Sequence, residues 1–341
     1  MTCFTHEFCF TKFTDYYLCF RKRQDGRIKM FVDITGKTRV KLGLHIHTTR
    51  SDGQRTPEEA ARIYLDRGYD AIALTDHWIY NGECEIEGLK IISGCEYNIG
   101  GANGAPLPSG EGGVYHIVGI GMTSDPQIPD AWKNMIKTSQ SKAVEIIKMI
   151  QKSNGFAIAA HPAWSLNTPE QLMSIGEFDG TEIYNAVSEC GMSDRAYSSS
   201  EVDGLLSRGR KVTILATDDV HYYDDDCCRG AVMVEATDMD TSSIVRALKQ
   251  GRFYSTQGPE IHISRIGADK VRVVCTPAEK IVFFSNVVWT RGRVVRGENL
   301  IEAEYTLKEG ERYIRAEVTD KEGRRAWTNP IYFDDINICK E

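Results

Sequence analysis

The stretch Lys41-Leu-Gly-Leu-His-Ile-His-Thr-Thr-Arg-Ser-Asp-Gly53 constrains this chain more than any other. Leu42, Leu44 and Ile46 alternate with Gly43, His45 and His47, so a period-two strand buries the apolar set on one face and projects both imidazoles from the other. Thr48, Ser51, Asp52 and Gly53 are turn-formers, and Asp52 can bring a carboxylate back over the strand end. Two imidazoles aimed at one point with a carboxylate nearby are the start of a metal site.

The pattern recurs. Residues 70–75 form a short apolar run, read as a buried strand, that delivers Asp76 and His77 at its end. Residues 89–95 deliver Glu96, residues 156–160 deliver His161, and residues 212–217 deliver Asp218, Asp219 and His221. His116 sits near the start of its run instead, in residues 114–121. Six of the eight histidines thus lie at or beside a strand-like run. Parallel strands joined by helices place their C-terminal ends on one face, and in barrels that face carries the chemistry.

Together these residues resemble the ligand motifs of the PHP (polymerase and histidinol phosphatase) metallohydrolases: His45-x-His47 with Asp52, Asp76-His77, Glu96, His116, Ala160-His161-Pro162 and Asp219-x-His221. The resemblance implies an α/β fold, a distorted (β/α)7 barrel over residues 41–258, and a metal-dependent phosphoesterase. It implies a first metal held by His45, His47, Glu96 and Asp219, a second by Glu96, His116 and His161, and a third by Asp52, His77 and His221. Glu96 would bridge the first two, and Glu96, Asp219 and His221 are cast as catalytic. Six imidazoles and three carboxylates without a thiolate suit Zn²⁺, Mn²⁺ or Fe²⁺ better than Mg²⁺ or Ca²⁺, two or three ions per chain. Such ions activate a water for attack, and a basic side chain nearby would help neutralise a phosphoryl group. Arg50, Arg195 and Arg229 are candidates by position, and the sequence does not choose among them.

Helix signals separate the runs. Thr56 reads as an N-cap, Pro57 as the first helical residue, Glu58 and Glu59 as its acidic first turn and Gly68 as its stop. Helical spacing over residues 129–153 is closed by Asn154-Gly155, and further helices are expected over 193–209 and 241–250. The Gly/Pro-rich stretch between Glu96 and Tyr115 is long enough for an active-site flap or a disordered insertion. Glu182 and Asn185, near the end of the run 181–185, are open between substrate contact and a structural role.

With 341 residues, 41% of them hydrophobic, the chain can build one large domain and a smaller one. After Gln257-Gly258-Pro259, short alternating runs read as a small all-β sandwich over residues 259–341. Its ending, Ala326-Trp-Thr-Asn-Pro-Ile-Tyr332, resembles the C-terminal β-module of the carbaryl-hydrolase-type (CehA/McbA-like) branch of the PHP family. His262 lies there and is read as structural. Residues 1–40 form an N-terminal extension in which Asp25-Gly26 suggests a β-hairpin and Arg21-Lys-Arg23 a solvated edge-strand guard.

A net charge of −7 disfavours a long nucleic-acid partner. Residues 1–20 lack an apolar core of signal-peptide length, and no later segment approaches the ~18 continuous apolar residues of a membrane span. Ten scattered cysteines without a C-x-x-C pair read as reduced thiols of a cytoplasmic protein. Three function classes remain: a phosphoesterase for a small phosphorylated metabolite or nucleotide, a carbamate or amide hydrolase on the same site, and a metal-holding module without turnover. The complete ligand set argues against the third.

Overall fold

The computed structural model describes residues 31–100, 113–133, 135 and 137–333. The hairpin expected at Asp25-Gly26 and the middle of the Gly/Pro-rich stretch, residues 101–112, lie outside the described residues.

Local signals set the helix starts. In α1 (Pro57–Asp66) the Thr56 hydroxyl accepts from the Glu59 N–H while the Glu59 carboxylate accepts from the Thr56 N–H, a reciprocal cap that satisfies two donors. α2 (Ser139–Lys152) is shorter than the periodicity suggests: Pro129 is followed by a single 3₁₀ turn at Asp130–Trp132, and the α-helix begins later. α3 (Pro169–Ser174) repeats the Thr-Pro start, and α4 (Ser199–Ser207) is followed by α5 (Thr241–Lys249), capped by Asp240.

The strands form two hydrogen-bonded sheets. The first begins with β1 (Phe31–Val32), β2 (Thr38–Gly43), β3 (Ala71–Ala73), β4 (Cys84–Ile86) and β5 (Leu89–Ile92). The second consists of β6 (Gly94–Ile99), β7 (Tyr115–Ile120), β8 (Phe156–Ala159), β9 (Gly180–Asn185) and β10 (Thr213–Thr217), in that spatial order. β11 (Ala231–Glu235) and β12 (Phe253–Thr256) return to the first sheet, which continues through β13 (Ile261–Arg265), β14 (Lys270–Phe284), β15 (Val294–Thr306), β16 (Tyr313–Thr319), β17 (Arg325–Thr328) and β18 (Ile331–Tyr332).

The run 89–95 is therefore two strands in two sheets. The Ser93 hydroxyl donates to the Met122 carbonyl at 2.7 Å, and a Cβ at Gly94 would lie 2.5 Å from the Leu74 carbonyl oxygen. Only glycine allows the chain to pass so close to the neighbouring backbone as it changes sheet.

A closed seven-stranded barrel is not formed as one continuous sheet among the described residues. β2, β3 and β6 to β10 are divided between the two open sheets, and single-residue bridges, Ile46 with Val220 and His77 with Glu96, tie them at both seams. Both seams fall at ligand-bearing turns, where the chain bends away after one paired residue. β7 also runs antiparallel to both its neighbours, against the all-parallel expectation.

β13 to β18 surround a core that includes Ile261, Val273, Phe283, Ile314 and Val318. β17 pairs with β12, so hydrogen bonding runs on across position 258, and the fully buried Arg315 pairs with Asp203 of α4 at 2.7 Å. No helix among the described residues is long and apolar enough to cross a membrane. The six described cysteines are unpaired.

Candidate metal centre

The chain leaving β2 carries His45 and His47 inward, and both are completely buried. His45 Nε2 lies 3.1 Å from Glu96 Oε2 and 3.1 Å from Asp219 Oδ1; His47 Nε2 lies 2.9 and 3.1 Å from the same two oxygens. These four side chains form one group of potential ligands. On the other side of Glu96, Oε1 is 2.8 Å from His116 Nδ1 and 3.5 Å from His161 Nε2, which makes a second group. Asp52 lies 3.5 Å from both His47 Nδ1 and His221 Nε2 and 3.7 Å from His77 Nε2, a third group that shares His47 with the first. All nine residues singled out in the sequence come together, although they arrive from six separate stretches of chain.

Five atoms in this cluster are buried without a hydrogen-bond partner: His45 Nε2, His47 Nε2, His77 Nδ1, Glu96 Oε2 and Asp219 Oδ1. A buried polar atom left unsatisfied costs about 1–3 kcal/mol. Lone pairs of imidazole and carboxylate aimed at a common point are what a cation satisfies, so the donor set fits divalent metal.

The surroundings hold these groups firmly. Glu182, fully buried on β9, accepts from His45 Nδ1 at 2.8 Å, from the His161 backbone N–H at 2.9 Å and from Asn185 Nδ2 at 2.9 Å. Asn185 Nδ2 also donates to Asp219 Oδ2 at 3.1 Å, and Ser165 Oγ sits 3.1 Å from His161 Nδ1. His161 and Asp219 both have left-handed backbone, φ 29° and 53°, a strained conformation that packing must enforce.

Asp76 and Asp218, next to ligand-type residues in sequence, serve the loops. Asp76 accepts from the Thr48 N–H at 2.7 Å, from the hydroxyls of Thr48 and Ser51 at 3.0 Å and from Asn81 Nδ2 at 3.1 Å. Asp218 accepts from the Tyr64 hydroxyl at 2.6 Å and from the backbone N–H groups of Cys228, Arg229 and Gly230.

Charge is strongly coupled here. Burial disfavours protonation of His45, but the carboxylates of Asp219, Glu96 and Glu182 outweigh it and raise its pKa well above the imidazole value. His47 and His161 shift upward against burial for the same reason. Burial pushes His77 down to about 4, despite the opposing field of Glu96. Burial alone would raise Glu96 and Asp219, yet the surrounding imidazoles hold both well below the carboxylate range.

The three arginines named from the sequence stand elsewhere. Arg50 donates to Asn81 Oδ1, Arg195 is exposed, and Arg229 pairs with Glu189 at 3.0 Å. Among the described residues no Lys or Arg makes an ion pair or hydrogen bond with any of the nine. Glu182 acts on His45 rather than being exposed to a substrate. Trp164 was not singled out, yet its ring lies 5.4 Å from that of His116 and 4.8 Å from that of His161.

No family model matches the chain. An uncharacterised protein of Methanocaldococcus jannaschii is 26% identical over 166 residues, which cover 45% of this chain and 86% of that one. Among solved structures, a two-domain protein of Bacteroides vulgatus, described as containing a predicted PHP-like metal-dependent phosphoesterase, is 17% identical with a TM-score of 0.46, covering 89% of this chain and 98% of its own. An amidohydrolase of Chromobacterium violaceum is 16% identical with a TM-score of 0.36, covering 62% of this chain and 96% of its own. Likenesses this remote carry no functional argument, so the reading below rests on the site.

Proposed function

We propose that the chain is a metal-dependent hydrolase and, more narrowly, a phosphoesterase acting on a small phosphorylated metabolite or nucleotide. The observation that carries this reading is the set of five partnerless buried lone pairs inside a nine-residue cluster. Glu96, Asp219, Asp52 and Glu182 bring four carboxylates together without a Lys or Arg among the described residues. With imidazoles neutral as ligands, several divalent ions are needed to balance them, two or three of the Zn²⁺, Mn²⁺ or Fe²⁺ class. When bound, such ions supply an activated water and polarise the group under attack.

The chain's own residues set the geometry. Glu96 turns one oxygen to His45 and His47 and the other to His116 and His161, and so would hold neighbouring ions side by side. The Nδ1 contact with Glu182 leaves the His45 Nε2 lone pair facing the centre. The side chains of His45 and His47 are wholly buried and that of His161 is 2% exposed, which closes one side of the cluster. Those of His77, His116 and His221 are 17, 13 and 11% exposed, which opens the other to a substrate.

A carbamate or amide hydrolase is the second reading, favoured by the lack of a described Lys or Arg at the cluster. Hydrolysis assays on phosphomonoesters, phosphodiesters and aryl carbamates with protein of known metal content decide between them. Release of inorganic phosphate or a nucleoside monophosphate is expected. Cleavage of carbamates with phosphoesters untouched would overturn the phosphoesterase reading.

A further inference from the structure

Two adjacent thiols sit in the turn that follows the Asp219-x-His221 motif. Cys227 Sγ and Cys228 Sγ are 3.3 Å apart. Successive side chains of an extended chain point to opposite sides, so neighbouring thiols meet only where the backbone turns, and Cys228 supplies that turn with a left-handed φ of 59°. Both side chains are partly exposed and rest on the apolar cluster that includes Tyr64, Tyr69 and Val220.

Each flank of the pair is tied to one residue of the motif. The peptide between Cys227 and Cys228 carries the N–H that donates to Asp218 Oδ2 at 2.8 Å, and Asp218 directly precedes Asp219. On the other side Asp226, which precedes Cys227, accepts from the His221 and Tyr222 N–H groups through Oδ2, both at 2.8 Å. The turn has little room to shift. A Cβ at Gly230 would lie 2.8 Å from the Thr217 carbonyl oxygen, and the Tyr69 hydroxyl donates to the Gly230 carbonyl at 2.7 Å.

A bond between the two sulfurs would disturb this arrangement at one definite place. The sulfurs must close from 3.3 Å to the ~2.05 Å of a disulfide, while Cα atoms about 3.8 Å apart across a trans peptide are nearer than the roughly 4.4–6.8 Å at which disulfides usually form. The small ring closes only if the peptide between the two residues twists, and that peptide is the one whose N–H anchors Asp218. Losing this contact slackens the chain at Asp219, whose left-handed backbone, φ 53°, is maintained by packing.

We propose that Cys227 and Cys228 are a redox modification site, converted to a vicinal disulfide by a small-molecule disulfide of the glutathione class, and that this oxidation loosens the turn holding Asp219 and His221. Cys227 is the entering nucleophile, because contact with Cys227 and burial hold the Cys228 thiol well above the usual thiol range. The Cys227 thiolate attacks one sulfur of the oxidant, breaking its S–S bond, forming a mixed disulfide and releasing one thiolate. With Cys227 capped, the contact that retained the Cys228 proton is gone; Cys228 gives up that proton and attacks the Cys227 sulfur, releasing the second thiolate. The protein loses two electrons and two protons, and the oxidant leaves as two thiols. The effect on metal rests on the metal-centre reading, whereas the disulfide does not.

Metal-loaded full-length protein is treated with glutathione disulfide and quenched with an alkylating agent. Trypsin releases residues 212–229 as one peptide that holds these two cysteines and no other. That peptide is expected to lose two hydrogens, to escape alkylation and to regain both alkylation sites after reduction with dithiothreitol. Cys227→Ser should abolish the change, whereas Cys190→Ser, which removes the thiol 3.0 Å from Arg229 Nη1, should leave it intact. Oxidation is expected to lower metal affinity about tenfold or more in chelator competition, the effect of losing a group that supports a ligand, and to speed amide exchange across residues 226–232. Full alkylation of both cysteines, a link from either one to Cys190, or a disulfide that leaves affinity or exchange unchanged overturns the proposal. Exchange is also measured on metal-free protein, so a chain that binds no metal would remove the metal-centre reading and leave the disulfide and its loosened turn to stand.

Discussion

Replacing Glu182 by glutamine keeps the shape of the side chain and changes one acceptor into a donor, which makes it a sharp probe of how the cluster is built. Glu182 Oε1 faces His45 Nδ1 at 2.8 Å, and Oε2 takes both the His161 N–H and Asn185 Nδ2 at 2.9 Å. If the amide carbonyl occupies the Oε2 position, its NH₂ meets His45 Nδ1. The ring must then take the other tautomer, with a proton on Nε2 where the lone pair should face Glu96 and Asp219. If the amide is flipped, its NH₂ meets two donors in a fully buried place and leaves them unsatisfied, at about 1–3 kcal/mol. The first outcome costs metal affinity and the second costs stability. Loss of a group that orients a metal-bound histidine typically weakens affinity about 10–100-fold, or roughly 1.4–2.7 kcal/mol. Competition with a fluorescent chelator measures the affinity, and urea unfolding of metal-free protein measures the stability. Unchanged values of both in Glu182→Gln would refute the claim that this carboxylate positions His45.

The remaining expectations concern charge and the neighbouring residues. Without metal, His45, His47 and His161 have folded pKa values raised above the unfolded value of about 6.5. Their contribution to stability is complete below about pH 6.5 and is lost as pH climbs through the raised folded values. Metal-free protein should therefore lose thermal stability as pH rises above about 6.5, and excess metal should oppose that loss because ligation displaces the same protons; a metal-free Tm that rises with pH there contradicts it. Asp218→Asn should destabilise the metal-free protein by about 1–3 kcal/mol, since it weakens a four-donor anchor, while Asp219→Asn should lower metal content with a smaller effect on unfolding. Glu96→Gln should reduce kcat beyond the roughly 10–100-fold expected of a merely supporting residue, and near-normal activity would take Glu96 out of the centre. Asp203→Ala should cost roughly 3 kcal/mol or more in urea unfolding because it leaves the buried Arg315 uncompensated.

Much of the site was legible because its chemistry is local. The Asp-x-His spacing separates Asp219, which the fold brings into the cluster, from Asp218, which it sends to the 228–230 turn. Thr56, Pro57 and Glu59 mark the start of α1 because capping depends on residues three apart. What was not legible depends on partners distant in sequence. His116 sits early in its strand because β7 runs antiparallel to its neighbours, so its N-terminal end faces the edge where β8 and β9 end. The helix expected over 193–209 begins only at Ser199, since Ala196 and Ser198 hydrogen-bond back to Asn185 and Ile183 of β9. The split at Ser93 and the one-residue seams follow from which backbone lies opposite, which no run of apolar residues encodes.

The claim on which everything else depends is that the nine side chains form a multinuclear metal centre. Elemental analysis of the purified chain, as isolated and after reconstitution with Zn²⁺, Mn²⁺ and Fe²⁺, tests it most directly. More than one transition-metal ion per chain is expected, falling in Asp219→Asn; one ion or none after reconstitution would contradict the account.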